Sequence, residues 1–447
     1  MRLRTTTTAI AALVLGVGLA ACGSSGSPDP GSLSGGGSGT GAGTPVSGDN
    51  GASGGGTNGD TTGGGTSGSG GSGGTNPAPG GGTPGTGAGN NGSDPGAGTN
   101  PNIDSRQINY GEALRTASLK LVGALPTLAD INKIGSAAAA DQKALYGTMI
   151  DAMLADARFA AHQVQWWRDT LKTGGAAGQN GMPSFDTAAT FAASVVVGDR
   201  PYTDLFTAKT GTCPTFANGT FTAADCNSGG APTAGLLTDP GLMAQYYANM
   251  AFRRARFVQE TFVCSKYPAE FSATPKPLGA GTYTSPWDFN SITGGATAKV
   301  NFQDTSAVIC ANCHTTMNHI APLFATFDDK GQYTAGKISV LVPSTGTPVA
   351  TLSDWLPTGA QTLAWRNGQT VTDLPSLGAA IAADPDVARC AVNRVWNMAM
   401  SRGDIVNDLA TIPPVVTDPL LADFKANGMK LKAVIRSVFT SDDFVKF

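Results

Sequence analysis

The chain has 447 residues, of which 14% are charged and 61 are glycine, and its formal net charge is −3. A balance this close to neutral, with no basic stripe carrying interleaved aromatics, excludes nucleic acid as a partner. Beyond the N-terminal leader no segment is long and apolar enough to span a bilayer.

Residues 1–21 have the form of a bacterial lipoprotein signal peptide. Arg2 and Arg4 make a positive n-region, and the apolar stretch 9–19 is too short for a stable membrane span. It ends Leu19-Ala20-Ala21-Cys22, a lipobox, which predicts cleavage before Cys22 and lipidation of that cysteine. The alternative is an ordinary secretory peptide with a chance cysteine. Several acyl chains together anchor a protein firmly, whereas one binds marginally. Gly23 stands where enteric lipoproteins retained in the inner membrane carry Asp. The expectation is therefore a protein anchored through lipid on Cys22, on the periplasmic or cell-surface side, in the outer membrane rather than the inner.

Residues 22–102 are mostly Gly, Ser, Thr, Pro, Asn and Ala, with no aromatic side chain and no Lys or Arg. Such a stretch cannot bury enough apolar surface to offset chain entropy, so it is expected to be a disordered tether. At ~80 residues its r.m.s. span is roughly 50 Å. The remaining ~345 residues are too many for one small core and suggest several packed units.

In 110–123 the apolar residues fall at helical spacing, and Leu125-Pro126 stops the pattern. Thr127 to Asp130 has the form of a capping box opening a short helix through 134. Two amphipathic helices are expected at 137–155 and 156–172, and a buried helix, apolar nearly all round, at 186–197. Loops dominate 207–234. Helices resume over 239–263, and 268–305, rich in Pro, Gly and Thr, reads as irregular. Short β-like runs are expected within 333–372 (338–342, 362–366 and 369–372). A helical hairpin broken at Asp384-Pro385 follows over 373–402, then helices at 418–426 and 431–440. The fold class is mainly α: a multi-helix assembly with loop-rich insertions and a small β element.

The sequence holds 7 cysteines. Cys22 is assigned to lipid, and Cys310 and Cys313 lie in one short motif. Cys213, Cys226, Cys264 and Cys390 remain, an even number in a compartment that permits disulfides. Cys213 and Cys226 bracket the turn signal Asn218-Gly219, which predicts a Cys213–Cys226 bridge around a hairpin-like loop and leaves Cys264–Cys390 as a long-range pair. Four separate buried thiols are the alternative.

The motif Cys310-Ala311-Asn312-Cys313-His314 has the spacing of a c-type haem attachment site. Two thiols can add across the porphyrin vinyl groups, and the imidazole that follows can reach iron. The expectation is one covalent haem c, with Cys310 and Cys313 as thioether sulfurs and His314 as the proximal ligand. Competing readings are a zinc site using His319, a redox disulfide and a structural disulfide. His319 lies too close along the same helix to reach the opposite iron face. Met398 or Met400, or else His162, are the candidates for that position, and a five-coordinate iron is the remaining option.

The sequence around and beyond the motif, Cys310 to Tyr333, resembles the haem-motif domain of planctomycete- and myxobacteria-type multi-domain cytochrome c-like proteins of uncharacterised function. Phe327-Asp328 and Gly331 match that pattern, whereas Asn318-His319-Ile320-Ala321 replaces its usual Asp-Pro-Ile-Gly. Stretches at 113–131, 200–208, 234–240, 253–264 and 386–444 resemble its other domains in the same order. The resemblance implies an N-terminal helical domain at 103–200, a helical domain with the disulfide loop at 201–263, a haem-motif domain at 264–345 and a C-terminal helical domain at 371–447. The resemblance carries no established reaction; the single haem motif, the export signal and the long tether are what point to a membrane-tethered, extracytoplasmic monohaem protein passing electrons to a redox partner at the cell envelope. A haem enzyme of peroxidase or oxidase type, or a surface binding lipoprotein with a structural haem or disulfide, are the alternatives. No hydrolase or metalloprotease motif is present, so enzyme status is left open.

Overall fold

The computed structural model describes residues 105–174, 181–267, 272–278, 281–285, 302–303, 305, 308–342, 351–403 and 412–447. The signal peptide, Cys22 and the tether lie outside the described residues. Among the described residues no helix is long and apolar enough to cross a membrane.

The fold is mainly helical, and local sequence chemistry sets most helix ends. Helix α1 (Tyr110–Val122) is capped by Asn109, whose side chain accepts from the backbone N–H of Gly111 and Glu112, and it ends on Gly123 in the left-handed conformation. Helix α2 (Leu128–Ser136) opens on the expected capping box between Thr127 and Asp130. Helices α3 (Ala139–Ala155) and α4 (Ala157–Leu171) follow, the second capped by Asp156. In α5 (Thr187–Val197) residues on every side are buried, as its all-round apolar sequence requires.

The core runs through these helices as a ladder of aromatic rings. Trp167 of α4 stacks on Tyr202, which meets Phe206 of the short α6 (Asp204–Thr207) edge to face. Phe206 in turn meets Phe262 at a centroid distance of 4.8 Å. Such offset and edge contacts follow the ring quadrupoles and add to the area buried.

Both expected disulfides form. Cys213–Cys226 closes a loop holding the hairpin β1 (Thr215–Ala217) and β2 (Thr220–Thr222), turned at Asn218-Gly219. Cys264–Cys390 joins α8 (Phe252–Val263) to a helix near the C-terminal end. Between the hairpin and α8 stands the short α7 (Pro240–Gln245), capped by Asp239.

Two expectations about β structure differ from the structure. The segment read as irregular contains an antiparallel hairpin, β3 (Ser272–Leu278) and β4 (Gly281–Ser285). Its prolines at 275 and 277 do not prevent pairing, because in a two-stranded ribbon each strand has an edge that needs no donor. Conversely, 338–342 forms no strand. Its backbone bonds elsewhere instead: Ser339 N–H and Val340 N–H both donate to Ala325 O, and Leu341 O accepts from Met250 N–H. Within 351–372 the only described strands are β5 (Ala364–Trp365) and β6 (Gln369–Thr370).

Between these hairpins runs α9 (Val308–Phe324). The chain then forms α10 (Leu374–Ala383) and α11 (Pro385–Ala399), broken at Asp384-Pro385 as expected. Helix α12 (Pro414–Ala426) starts four residues earlier than expected, on a proline whose missing N–H costs nothing in a first turn. Helices α13 (Leu431–Phe439) and α14 (Asp442–Val445) finish the chain. The described ends pair with each other: Gln107 and Phe447 exchange two backbone bonds. Residues Ser105–Phe447 cluster as one unit, and a single core runs through all four of the expected segments.

Candidate functional site

Helix α9 carries the Cys-x-x-Cys-His motif in its first two turns. Its inward face is Cys313, His314, Met317, Asn318, Ile320, Ala321 and Phe324, all buried, at the spacing of a helix set against a core. Cys310 and Cys313 are three residues apart and His314 four from Cys310, so all three fall on one side of the helix. Neither cysteine belongs to the two disulfides.

His314 is 2% exposed, and its contacts define its state. Its ring meets Phe252 edge to face at 4.7 Å and lies 4.8 Å from Phe302. Its Nδ1 is 2.9 Å from Asn318 Oδ1, one helical turn on. Asn318 Nδ2 donates to Phe302 O at 2.7 Å. A carbonyl only accepts, so the amide NH2 must face Phe302, which turns Oδ1 toward the imidazole. Nδ1 of His314 therefore carries a proton, and in the neutral ring the lone pair is on Nε2. This is the tautomer a histidine needs to ligate metal through Nε2.

The backbone before Phe252 is also specialised. Met250 and Ala251 both have φ of 56°, in the left-handed region that side chains disfavour. Met250 N–H donates to Leu341 O, and Trp355 Nε1 donates to Met250 O at 3.0 Å. These bonds fix the entry to α8 and so the place of Phe252 against His314.

Arg254, on the same helix, is fully buried and unites the site. It donates to Met243 O from Nε and Nη2, to Phe324 O and Phe327 O from Nη1, and to Asp328 O from Nη2. Burial pushes its guanidinium down to about 10. The Phe327-Asp328 and Gly331 part of the motif is thus a turn clasped by this arginine. Asp328 Oδ1 accepts from the N–H of Lys330 and Gln332. Gly331, at φ of 67°, lies so close to Pro240 O that a Cβ would overlap it.

The other sequence candidates lie apart from His314. His319 is half-buried, with Nδ1 2.7 Å from Thr362 O. His162 lies beside Gly123 at the end of α1, its Nδ1 buried without a hydrogen-bond partner among the described residues. Burial lowers its pKa, Asp169 opposes that, and Lys120 adds to it. Met398 O accepts from Lys120 Nζ at 2.8 Å, and Met400 packs at the edge of the core. Among the described residues no hydrogen bond or ring contact joins His162, Met398 or Met400 to His314. The structure gathers His162 and Met398 where α1, α4 and α11 meet, and His314 where α8 and α9 meet.

Among the described residues, Cys213, Cys226 and Asp239 place ligand-type atoms within 4.8 Å of one another. Both sulfurs are bonded to each other, so neither is a thiolate. For the same reason Cys213 Sγ, 3.5 Å from Asp239 Oδ2, donates no proton to it.

Sequence reasoning missed Phe252, Phe302, Asn318 and Arg254. Asn318 was findable, since i and i+4 on a helix are neighbours. Phe302 carried no local signal. Comparison with protein families, curated proteins and solved structures found no match.

Proposed function

We propose that the chain is a membrane-tethered, extracytoplasmic monohaem c-type protein that carries electrons at the cell envelope. The observation that carries this reading is the buried His314, whose proton is held on Nδ1 by Asn318, on the same helix side as two cysteines outside both disulfides. A buried imidazole locked in this tautomer suits an axial ligand better than a packing residue, because its orientation is set by a second side chain.

The residues present fit the group. Cys310 and Cys313 would hold haem through their sulfurs and His314 through Nε2. Among the described residues Cys310, Cys313 and His319 do not gather into a three-ligand cluster of the kind one zinc ion needs. A porphyrin takes its sulfurs and its nitrogen at separate points. Bound there, haem supplies a one-electron iron couple. The protein's part is to fix the imidazole through Asn318, to wall it from water with Phe252 and Phe302, and to hold α9 on α8 through Arg254.

Lipid on Cys22 and the tether of 22–102 are part of the same proposal, as is membership of the cytochrome c-like group that the sequence resembles. The test is expression of the full chain in a host that exports and matures c-type cytochromes. A haem-staining band should survive denaturing electrophoresis, be lost in the Cys310→Ser/Cys313→Ser double variant, and accompany lipid in the intact mass. Absence of the band from exported protein, in a host that matures a control cytochrome, would overturn the haem reading.

A further inference from the structure

The Cys213–Cys226 bridge sits beside a carboxyl that has no exposure to water. Asp239 Oδ2 lies 3.5 Å from Cys213 Sγ, while Oδ1 is tied down as the cap of α7, accepting from Leu242 N–H at 2.8 Å. The Thr187 hydroxyl and Gly241 N–H also face this carboxyl, and among the described residues no charged side chain pairs with it. The charged groups on neighbouring elements are engaged elsewhere. Asp186, before α5, pairs with Arg168, and Asp225, beside Cys226, accepts from Gly211 N–H at 2.6 Å. With no cation to offset the loss of water, burial raises the pKa of Asp239 to about 6. An N-cap uses one side-chain oxygen and is served as well by Asn or Ser. The buried acid is therefore more than the cap requires, and its second oxygen faces a sulfur.

The two sulfurs differ in access. Both cysteines are half-buried, but Cys213 stands between buried Thr212 and Pro214, whereas Cys226 stands between exposed Asp225 and Asn227. Thiol–disulfide exchange proceeds by attack of a thiolate on one sulfur and departure of the other, so access selects the sulfur attacked. Attack at Cys226 makes Cys213 the leaving sulfur, next to the acid. A thiolate released beside an ionised carboxylate is repelled, while one released beside a carboxylic acid is protonated.

We propose that Cys213–Cys226 is a thiol–disulfide exchange site, opened by a protein dithiol that attacks Cys226 Sγ while Asp239 Oδ2 gives its proton to Cys213 Sγ. The bridge breaks as a new S–S bond forms between the incoming sulfur and Cys226, and Cys213 leaves with the bonding pair. The second sulfur of the dithiol then attacks its own first sulfur, which releases Cys226. The dithiol is oxidised by two electrons to its disulfide, and the bridge is reduced to two thiols. The two protons the dithiol gives up to solvent are balanced by one taken up at Cys226 and one that restores Asp239. The step needs nothing from α9, so it stands apart from the haem reading.

Reduction of the full mature chain by dithiothreitol tests it. Thiols free at the start are blocked with one alkylating reagent and those released with a second, so that peptide masses report each bridge separately. Cys213–Cys226 should open faster than Cys264–Cys390, whose Cys390 is buried and whose reduction reports opening of the whole unit. At about pH 5, Asp239→Asn should slow the opening of Cys213–Cys226 by about tenfold or more, and the gap should close by about pH 8, where the wild-type carboxyl is ionised. Comparing the two proteins at one pH cancels the ionisation of the reagent. Equal rates for the two bridges make Cys213–Cys226 a structural bridge and overturn the proposal. So does the absence of a gap at the lower pH, or one that persists unchanged at the higher. If Asp239→Asn does not fold, glutathione decides: its mixed disulfide should form on Cys226, and trapping on Cys213, or on neither cysteine, overturns the proposal.

Discussion

At the scale of single residues, the His314 ring must be satisfied from within the protein, and Asn318 meets that need while its amide closes on Phe302 O. Asn318→Leu removes the partner that Asn318 offers to a buried ring nitrogen and to a buried carbonyl. It should lower unfolding free energy by about 2 kcal/mol or more, read from the urea midpoint at constant m-value. Asn318→Asp keeps the acceptor for Nδ1 and should recover part of that loss. Asp239 presents the opposite problem, a carboxyl with no exposure whose Oδ1 accepts from Leu242 N–H at 2.8 Å. Burial raises its pKa from 3.8 to about 6, against the hydrogen bonds that lower it. The folded state therefore holds this proton more tightly than the unfolded chain. The stabilisation is fully present below the unfolded pKa, and it is lost as pH rises through the folded value. Asp239→Asn keeps a capping oxygen but cannot titrate. Between pH 4 and 7 the wild type should lose up to about 3 kcal/mol relative to this variant, measured as a pH series of denaturant midpoints. A difference that stays flat across that range would contradict the assignment.

At the scale of elements, Arg254 shows how one side chain can decide where two helices sit. Its bonds to Phe324 O, Phe327 O and Asp328 O hold the exit of α9 on α8, and its bonds to Met243 O reach α7. Arg254→Met should cost about 3 kcal/mol or more, because several buried carbonyls lose their donor at once. Arg254→Lys should not restore stability, since an ammonium cannot spread its donors as a guanidinium does. Near-wild-type unfolding of Arg254→Met would refute this role. Helices with strong local signals were legible in the sequence: the box at Thr127, the break at Asp384-Pro385 and the apolar run of 187–197 all act within a few residues. The β3–β4 hairpin was not legible, because its prolines argue against a strand until its two-stranded setting is known. Segment 338–342 had strand composition, but its partners, Ala325 and Met250, come from distant parts of the chain. The same division runs through the candidate site. The Cys-x-x-Cys-His motif is local, whereas Phe252, Phe302 and Arg254 reach it only through the packing of α8 on α9. Close packing elsewhere is just as nonlocal: Gly378 of α10 lies against Phe206 O of α6 with no room for a Cβ.

At the scale of the whole molecule, the chain between the disulfides and the paired ends sets which contacts are held by covalent closure. Cys264–Cys390 spans a sequence separation of 126, and Cys213–Cys226 spans 13. In the chain-entropy account the long closure removes more freedom from the unfolded state, about 4–5 kcal/mol against about 3 for the short one. The long bridge also joins α8, which carries Phe252 and Arg254, to α11. Its loss therefore bears on the candidate site, whereas the short bridge confines a surface hairpin. Replacing Cys264 and Cys390 together with Ser should cost about 4 kcal/mol, raise the urea m-value as the unfolded chain expands, and lower the melting temperature throughout the folded unit. Replacing Cys213 and Cys226 should cost less and show its largest change in amide exchange near 212–228. Global unfolding that responded more to the short bridge than to the long one would mean that the hairpin loop, and not the α8–α11 junction, is where the unit is held together.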